Sequence, residues 1–182
     1  MDRLVPEPHR LVLVMGVPAV GKTTIAKVIL ERMCCVYLDN NFFADPFSRN
    51  SRMSTTYLAV RLKLYEVIYR VAFENLSARN SVLLDIPHVT QSRDKVWKNR
   101  IIRMSKQTGA KLRVLRCVCS EEVLRNRMVA RREPRDKWKI EHWDRFLQRE
   151  PINFEVPFPF LDINTERSIK WNVEEAIRYI MS

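Results

Sequence analysis

Directly behind the apolar run LVLVM, residues 11–15, stands GVPAVGKTT, residues 16–24. These nine residues hold two of the three glycines in the whole chain, Gly16 and Gly21, and Lys22-Thr23-Thr24 follows the second. The spacing is that of G-x-x-x-x-G-K-[ST], a loop that wraps phosphate groups. At average composition it arises by chance in roughly one chain of this length in a hundred. Its surroundings sharpen the match, because a short aliphatic run reads as a buried strand and the residues from Lys22 onward read as a helix. Glycine lets the backbone curl and approach an anion with no Cβ in the way. The N–H groups between Gly16 and Lys22 then form a nest at the positive end of that helix. The candidate nucleotide contacts are therefore Gly16, Val17, Ala19, Val20, Gly21, Lys22, Thr23 and Thr24. Lys22 reaches the outer phosphates as a point charge, and the Thr23 hydroxyl is a ligand for Mg²⁺.

The rest of the chain alternates short apolar runs with longer amphipathic stretches. Strands are predicted at 11–15, 35–38, 82–85, 112–118 and 160–163. Helices are predicted at 22–33, 54–79, about 91–108 (ending at Gly109), 121–132 (opening after Ser120), about 139–149, and from near Asn172. On the second helix Leu58, Leu62, Tyr65, Ile68, Ala72 and Leu76 recur at helical spacing, with Ser54 or Thr55 as the cap. Residues 40–53 lack periodicity and read as a loop, as does the proline-rich segment 150–160. Alternating strand and helix means βαβ units, hence a parallel sheet covered on both faces. At 182 residues the chain suits one core, and 1–182 reads as one domain.

Composition excludes several classes. No apolar run is long enough to cross a membrane, and Glu7, His9 and Arg10 stand where a secretory signal would be apolar, so a cytoplasmic protein is expected. Cys34-Cys35 and Cys117-x-Cys119 match neither a zinc site nor a redox dithiol, and Cys117 and Cys119 read as small core residues. GTPase switches carry D-x-x-G and N-K-x-D, and neither occurs here. The net charge of +11 gathers in 93–116 and 125–149. Most of it reads as a solvated face, although the same field attracts phosphate, whether of a nucleotide or a nucleic acid.

Four stretches in order, GVPAVGKTT, VYLD ending in Asp39, VLLD ending in Asp85, and LRNRMVAR with Arg127 and Arg131, resemble the small P-loop kinases. That group includes the kinase domain of phage-type polynucleotide kinase, chloramphenicol phosphotransferase and gluconate kinase. The resemblance implies a three-layer α/β/α P-loop NTPase fold with a five-stranded parallel sheet, nucleoside-monophosphate-kinase-like. The group often carries glycine in the middle of its loop, where this chain has Ala19 and Val20. It further implies ATP and Mg²⁺ as cofactors, and RREPRDK as a short lid near 132–138.

Strand ends of open α/β sheets deliver side chains to the ligand crevice. Asp39 in this position is the expected general base toward an attacking hydroxyl, the alternative being an Asx-turn residue beside Asn40 and Asn41. Asp85 is the expected metal-side carboxylate, with the acceptor or a simple turn before Pro87 as its other uses. Arg127 and Arg131, one helical turn apart, suit the charge that spreads over a transferring phosphoryl group. Thr165 and Asn164, in LDINTERS, resemble the stretch beside the adenine. Trp138, Trp143 and Phe146 read as core rather than as a base-stacking stripe, as do Tyr57, Tyr65 and Tyr69, with Tyr57 also a candidate wall of the acceptor pocket. His88 is left outside the site.

The expected activity is transfer of the γ-phosphoryl group of ATP to a hydroxyl, with Lys22, Asp39, Arg127 and Arg131 carrying catalysis and Thr23 and Asp85 holding the metal. A small-molecule acceptor is favoured. Two alternatives stay open, a polynucleotide 5′-hydroxyl kinase and a nucleotide-dependent nucleic-acid-binding ATPase module. The choice of ATP over GTP and the oligomeric state are likewise open.

Overall fold

The computed structural model describes residues 3–48 and 55–182. Its frame is set by β1 (Arg10–Met15), six consecutive residues that are all buried. A strand covered on both faces needs apolar side chains on both, which is why RLVLVM shows no alternation. Leu11, Val12, Leu13 and Val14 pair in parallel with Val82 to Asp85 of β3 (Val82–Asp85) on one side, and with β4 (Lys111–Val118) on the other. Outside these lie β2 (Val36–Asp39) and β5 (Leu161–Asn164), giving the spatial order β2-β3-β1-β4-β5. Every pairing is parallel, so each connection crosses over through a helix.

The first crossover is α1 (Lys22–Arg32), which packs with the terminal α8 (Ile169–Met181). The long α3 (Thr55–Ser77) packs with α4 (Lys95–Thr108) and touches β2 and β3. The sheet thus lies between helical layers, the expected three-layer α/β/α arrangement with five parallel strands. Then come α5 (Glu121–Ala130), a three-ten turn at Pro134–Asp136, α6 (Lys137–Glu141) and α7 (Trp143–Arg149). Caps set several starts. The Ser120, Asp94 and Ser168 side chains accept from the N–H groups of Val123, Val96 and Trp171. Gly109, at φ 72°, ends α4 in the left-handed conformation that stops a helix.

Three expectations need correction. Residues 40–48 are not a loop but α2 (Asn40–Ser48). The Asp39 carboxylate accepts from the Asn41 N–H at 2.7 Å, an N-cap, and Ala44 is buried. The remainder of that predicted loop, 49–53, and the candidate cap Ser54 lie outside the described residues. The helix predicted at 91–108 is a three-ten turn at Gln91–Arg93 followed by α4, because Asp94 caps a new helix. The helix predicted at 139–149 is α6 and α7, separated at His142. Among the described residues no helix is long and apolar enough to cross a membrane.

Candidate active site

The loop between β1 and α1 leaves the centre of the sheet and turns back on itself. A Cβ on Gly16 would stand 2.8 Å from the Cys117 carbonyl oxygen, so only glycine fits there. Gly21, at φ 107°, packs against Thr165, which a Cβ would meet at 3.3 Å. Ala19 is left-handed at φ 68°. The Val17 and Val20 side chains are buried in the core, so these two residues can offer a ligand only their main chain. Lys22 is buried, and its Nζ donates to the Val17 carbonyl at 3.0 Å. Burial lowers its pKa below the ordinary lysine value, with the Asp85 carboxylate opposing that shift.

Next to the loop, two strand ends meet in register, Asp39 opposite Asp85. Thr23 Oγ1 donates to Asp85 Oδ2 at 2.5 Å, so the hydroxyl at the helix tip and the β3 carboxylate form one oxygen cluster. Hard cations such as Mg²⁺ take oxygen ligands of this kind. The Tyr37 hydroxyl lies between the carboxylates, 3.1 Å from Asp85 and 3.2 Å from Asp39. Burial and the two carboxylates hold its pKa well above the tyrosine range. Asp39 is raised above the ordinary carboxylate value, chiefly by burial and further by Asp85, while the Asn41 N–H opposes the shift. Asn40 and Asn41 line the cavity, whereas Asp39 is buried and is not part of its lining. Tyr37 was missed from sequence, although its place two residues before Asp39 puts it on the same face of β2.

A cavity of about 510 Å³ runs along the carboxyl ends of the strands. Toward β5 its wall is Gly21, Thr165, Ile169, Asn172 and Arg127. Arg127 donates to the Val20 carbonyl at 3.1 Å, to Thr165 Oγ1 at 2.8 Å and to the Thr165 carbonyl at 2.9 Å. It thereby ties α5 to both the loop and the turn after β5. Asn164 is spent locally, its side chain accepting from the Glu166 N–H. Toward β2 and β3 the wall is Asn40, Asn41, Tyr57, Arg61 and Tyr65, with Thr90 and Gln91 after β3. Arg131, Arg135, Trp138, Lys139, Phe146 and Arg149 close the side between.

The arginines are more constrained than their spacing suggests. Arg131 is ion-paired with Asp136, a fully buried carboxylate that also takes Lys139 Nζ at 2.7 Å. Arg135 crosses to α2, meeting Asn41 Oδ1 at 2.9 Å and Asp45 at 3.2 Å. Tyr57 and Tyr65 border the cavity while Tyr69 does not; its hydroxyl is 2.8 Å from His88 Nε2 and accepts from Trp97 Nε1 at 2.9 Å. Trp143 and Phe146 are buried as expected, and Phe146 and Trp138 also face the cavity. Cys117 and Cys119 are buried and unbridged.

A parallel sheet of this order, with a glycine-bounded loop and a buried lysine at the tip of the helix after the first strand, defines a P-loop nucleoside triphosphate-binding protein of the small-kinase fold. A family described as AAA domain matches residues 11–151, and the chain belongs to it. No curated protein sequence matches the chain. Solved structures share the fold at low identity. One is an unliganded sugar kinase of Janibacter sp. HTCC2649, at 17% identity and TM-score 0.67, covering 94% of each chain. Another is the APS kinase CysC of Mycobacterium tuberculosis in complex with AMPPNP and APS, at 17% identity and TM-score 0.63, covering 97% of this chain and 99% of that one. A gluconokinase of Sinorhizobium meliloti 1021 aligns at 15% identity and TM-score 0.61, covering 96% and 93%.

Proposed function

We propose that this protein is an ATP- and Mg²⁺-dependent kinase that transfers the γ-phosphoryl group to a hydroxyl of a small-molecule acceptor in the cytoplasm. The observation that carries the reading is the Thr23–Asp85 oxygen cluster beside the glycine-bounded loop, with a cavity of about 510 Å³ in front of both. The loop amides and Lys22 bind the β- and γ-phosphates, and Lys22 exchanges its Val17 contact for them. Thr23 and Asp85 would hold Mg²⁺, which when bound neutralises phosphate charge and orients the transfer. Arg127, already fixed by Val20 and Thr165, stands at the nucleotide end with Thr165. Arg131 supplies a second guanidinium from the base of a short lid near 132–138, within one kinase domain spanning 1–182.

Asp39 takes the proton of the acceptor hydroxyl as its oxygen attacks the γ-phosphorus and the bond to ADP breaks. Its raised pKa suits a base, and it must give up its Asn41 contact to act. The expected acid limb of kcat/KM therefore lies above the ordinary aspartate range.

Labelled ATP offered with pools of sugars, nucleosides, aminoglycosides and 5′-hydroxyl oligonucleotides tests the reading. Asp39→Asn should keep nucleotide affinity and lose about 10²–10⁴-fold in transfer, whereas Lys22→Ala should lose nucleotide binding itself. Full transfer by Asp39→Asn would remove it as base. Undiminished affinity in Lys22→Ala would overturn the site.

A further inference from the structure

The nucleotide occupies the loop and the β5 end of the cavity under the reading above. What remains is the end beneath α3, where the acceptor must sit, and its charge is lopsided. Among the described residues, the whole cavity is lined by seven cationic side chains against two carboxylates, Asp85 and Glu150. Lys22 and Arg127 serve the nucleotide. Arg131 and Lys139 share Asp136, Arg135 has Asp45, and Arg149 is engaged by contacts of its own. Arg61 differs from these. It lines the acceptor end, its guanidinium carbon lies 5.5 Å from the centre of the Tyr65 ring, and the Glu150 carboxylate acts on it only from a distance, since among the described residues no carboxylate comes within ion-pair range.

A ring fixes a guanidinium in place without neutralising it. A half-buried cation left this way on a cavity wall is suited to a planar or tetrahedral oxyanion, which guanidinium groups bind through paired N–H donors. Resting on the proposed kinase activity, we infer that the acceptor is itself anionic, a small hydroxyl compound bearing a carboxylate or a phosphate ester, and that Arg61 holds this group. The neighbouring Tyr57 and Tyr65 supply apolar surface for the carbon frame. Glu150 stands at the same end, where its carboxylate can accept from the acceptor's hydroxyls. The arrangement puts the anion on α3 and a hydroxyl toward Asp39, with the nucleotide on the far side of the loop.

Calorimetric titration of the full chain loaded with MgAMPPNP separates the possibilities. The titrants are D-gluconate and D-ribose 5-phosphate, each with its neutral counterpart, D-glucose or D-ribose, and inorganic phosphate as the minimal probe. The anions should bind at least about tenfold more tightly than their counterparts. Arg61→Gln should erase that difference and Arg61→Lys should keep part of it, with MgAMPPNP affinity unchanged in both.

Equal binding of charged and neutral partners, or an anion preference that survives in Arg61→Gln, would overturn the assignment. So would a loaded protein that takes none of the anions. A chain that fails to take up MgAMPPNP would bring down the nucleotide reading, and this inference with it. A loaded chain indifferent to anions would bring down this inference alone.

Discussion

Ala19 holds a backbone conformation, φ 68°, in which an L-residue's Cβ crowds the following carbonyl, at a cost of about 1–2 kcal/mol. Related loops often put glycine in this region, and the strain marks where this chain departs from them. The glycines at 16 and 21 were legible from spacing alone because the loop leaves them no substitute. His88 was not. It lies in the loop after β3, its neighbours Tyr69 and Trp97 arrive from α3 and α4, and only the fold brings them together. Trp97 Nε1 donates to the Tyr69 hydroxyl, which is hydrogen-bonded to His88 Nε2, and among the described residues the remaining Nδ1 is buried with no partner. Burial then pushes the imidazole pKa down to about 3 from 6.5. Between those two values the unfolded chain binds a proton that the folded chain refuses. The stabilising contribution is complete above pH 6.5 and is lost as pH falls toward 3, at about 1.4 kcal/mol per pH unit. Urea unfolding at pH 7 and pH 4.5 should show this loss, and a His88→Phe variant should show a correspondingly shallower dependence.

Among the elements, the strands were the most legible. Buried parallel strands are continuous apolar runs, and all five lie within one residue of their expected bounds, with β3 matching at both ends. Helix α2 was invisible because its own sequence, NNFFADPFS, is rich in Asn and carries Pro46 inside. It exists because Asp39 caps it and α3 covers it, and neither fact is local. Helix α8 is held at its other end by a residue that reads as an oddity in sequence. Arg10, buried in β1, donates to the carbonyls of Ile180 at 2.7 Å and Met181 at 3.0 Å. A cation at the helix C-terminus satisfies carbonyls that lack partners within the helix. Arg10→Met keeps the bulk and removes the donors, so it should lower unfolding free energy by about 2–3 kcal/mol, read from the urea midpoint.

Across the whole molecule, the sequence showed that a phosphate loop and two strand-end carboxylates would share one edge of the sheet. It could not show which cations remain unpaired there. Arg131, Arg135 and Lys139 look alike in RREPRDKWK, and only their partners, Asp136 and Asp45, separate them from Arg61. Asp136 is the pivot, a buried carboxylate balanced by two cations from adjoining turns. Asp136→Asn leaves them uncompensated, at a cost below the roughly 3–5 kcal/mol of stranding a fully buried charge, because Arg131 keeps access to water. Amide exchange over 131–139 should accelerate in that variant while β1 and β3 stay protected. Unchanged exchange there would mean that Asp136 does not hold this segment.

The contact between Lys22 and the Val17 carbonyl has a kinetic consequence. Under the proposed reading, the ammonium that meets phosphate is the same one that bridges the loop from within, so nucleotide entry is a local trade of one oxygen partner for another. Association traces should then be single-exponential, with rates linear in nucleotide concentration.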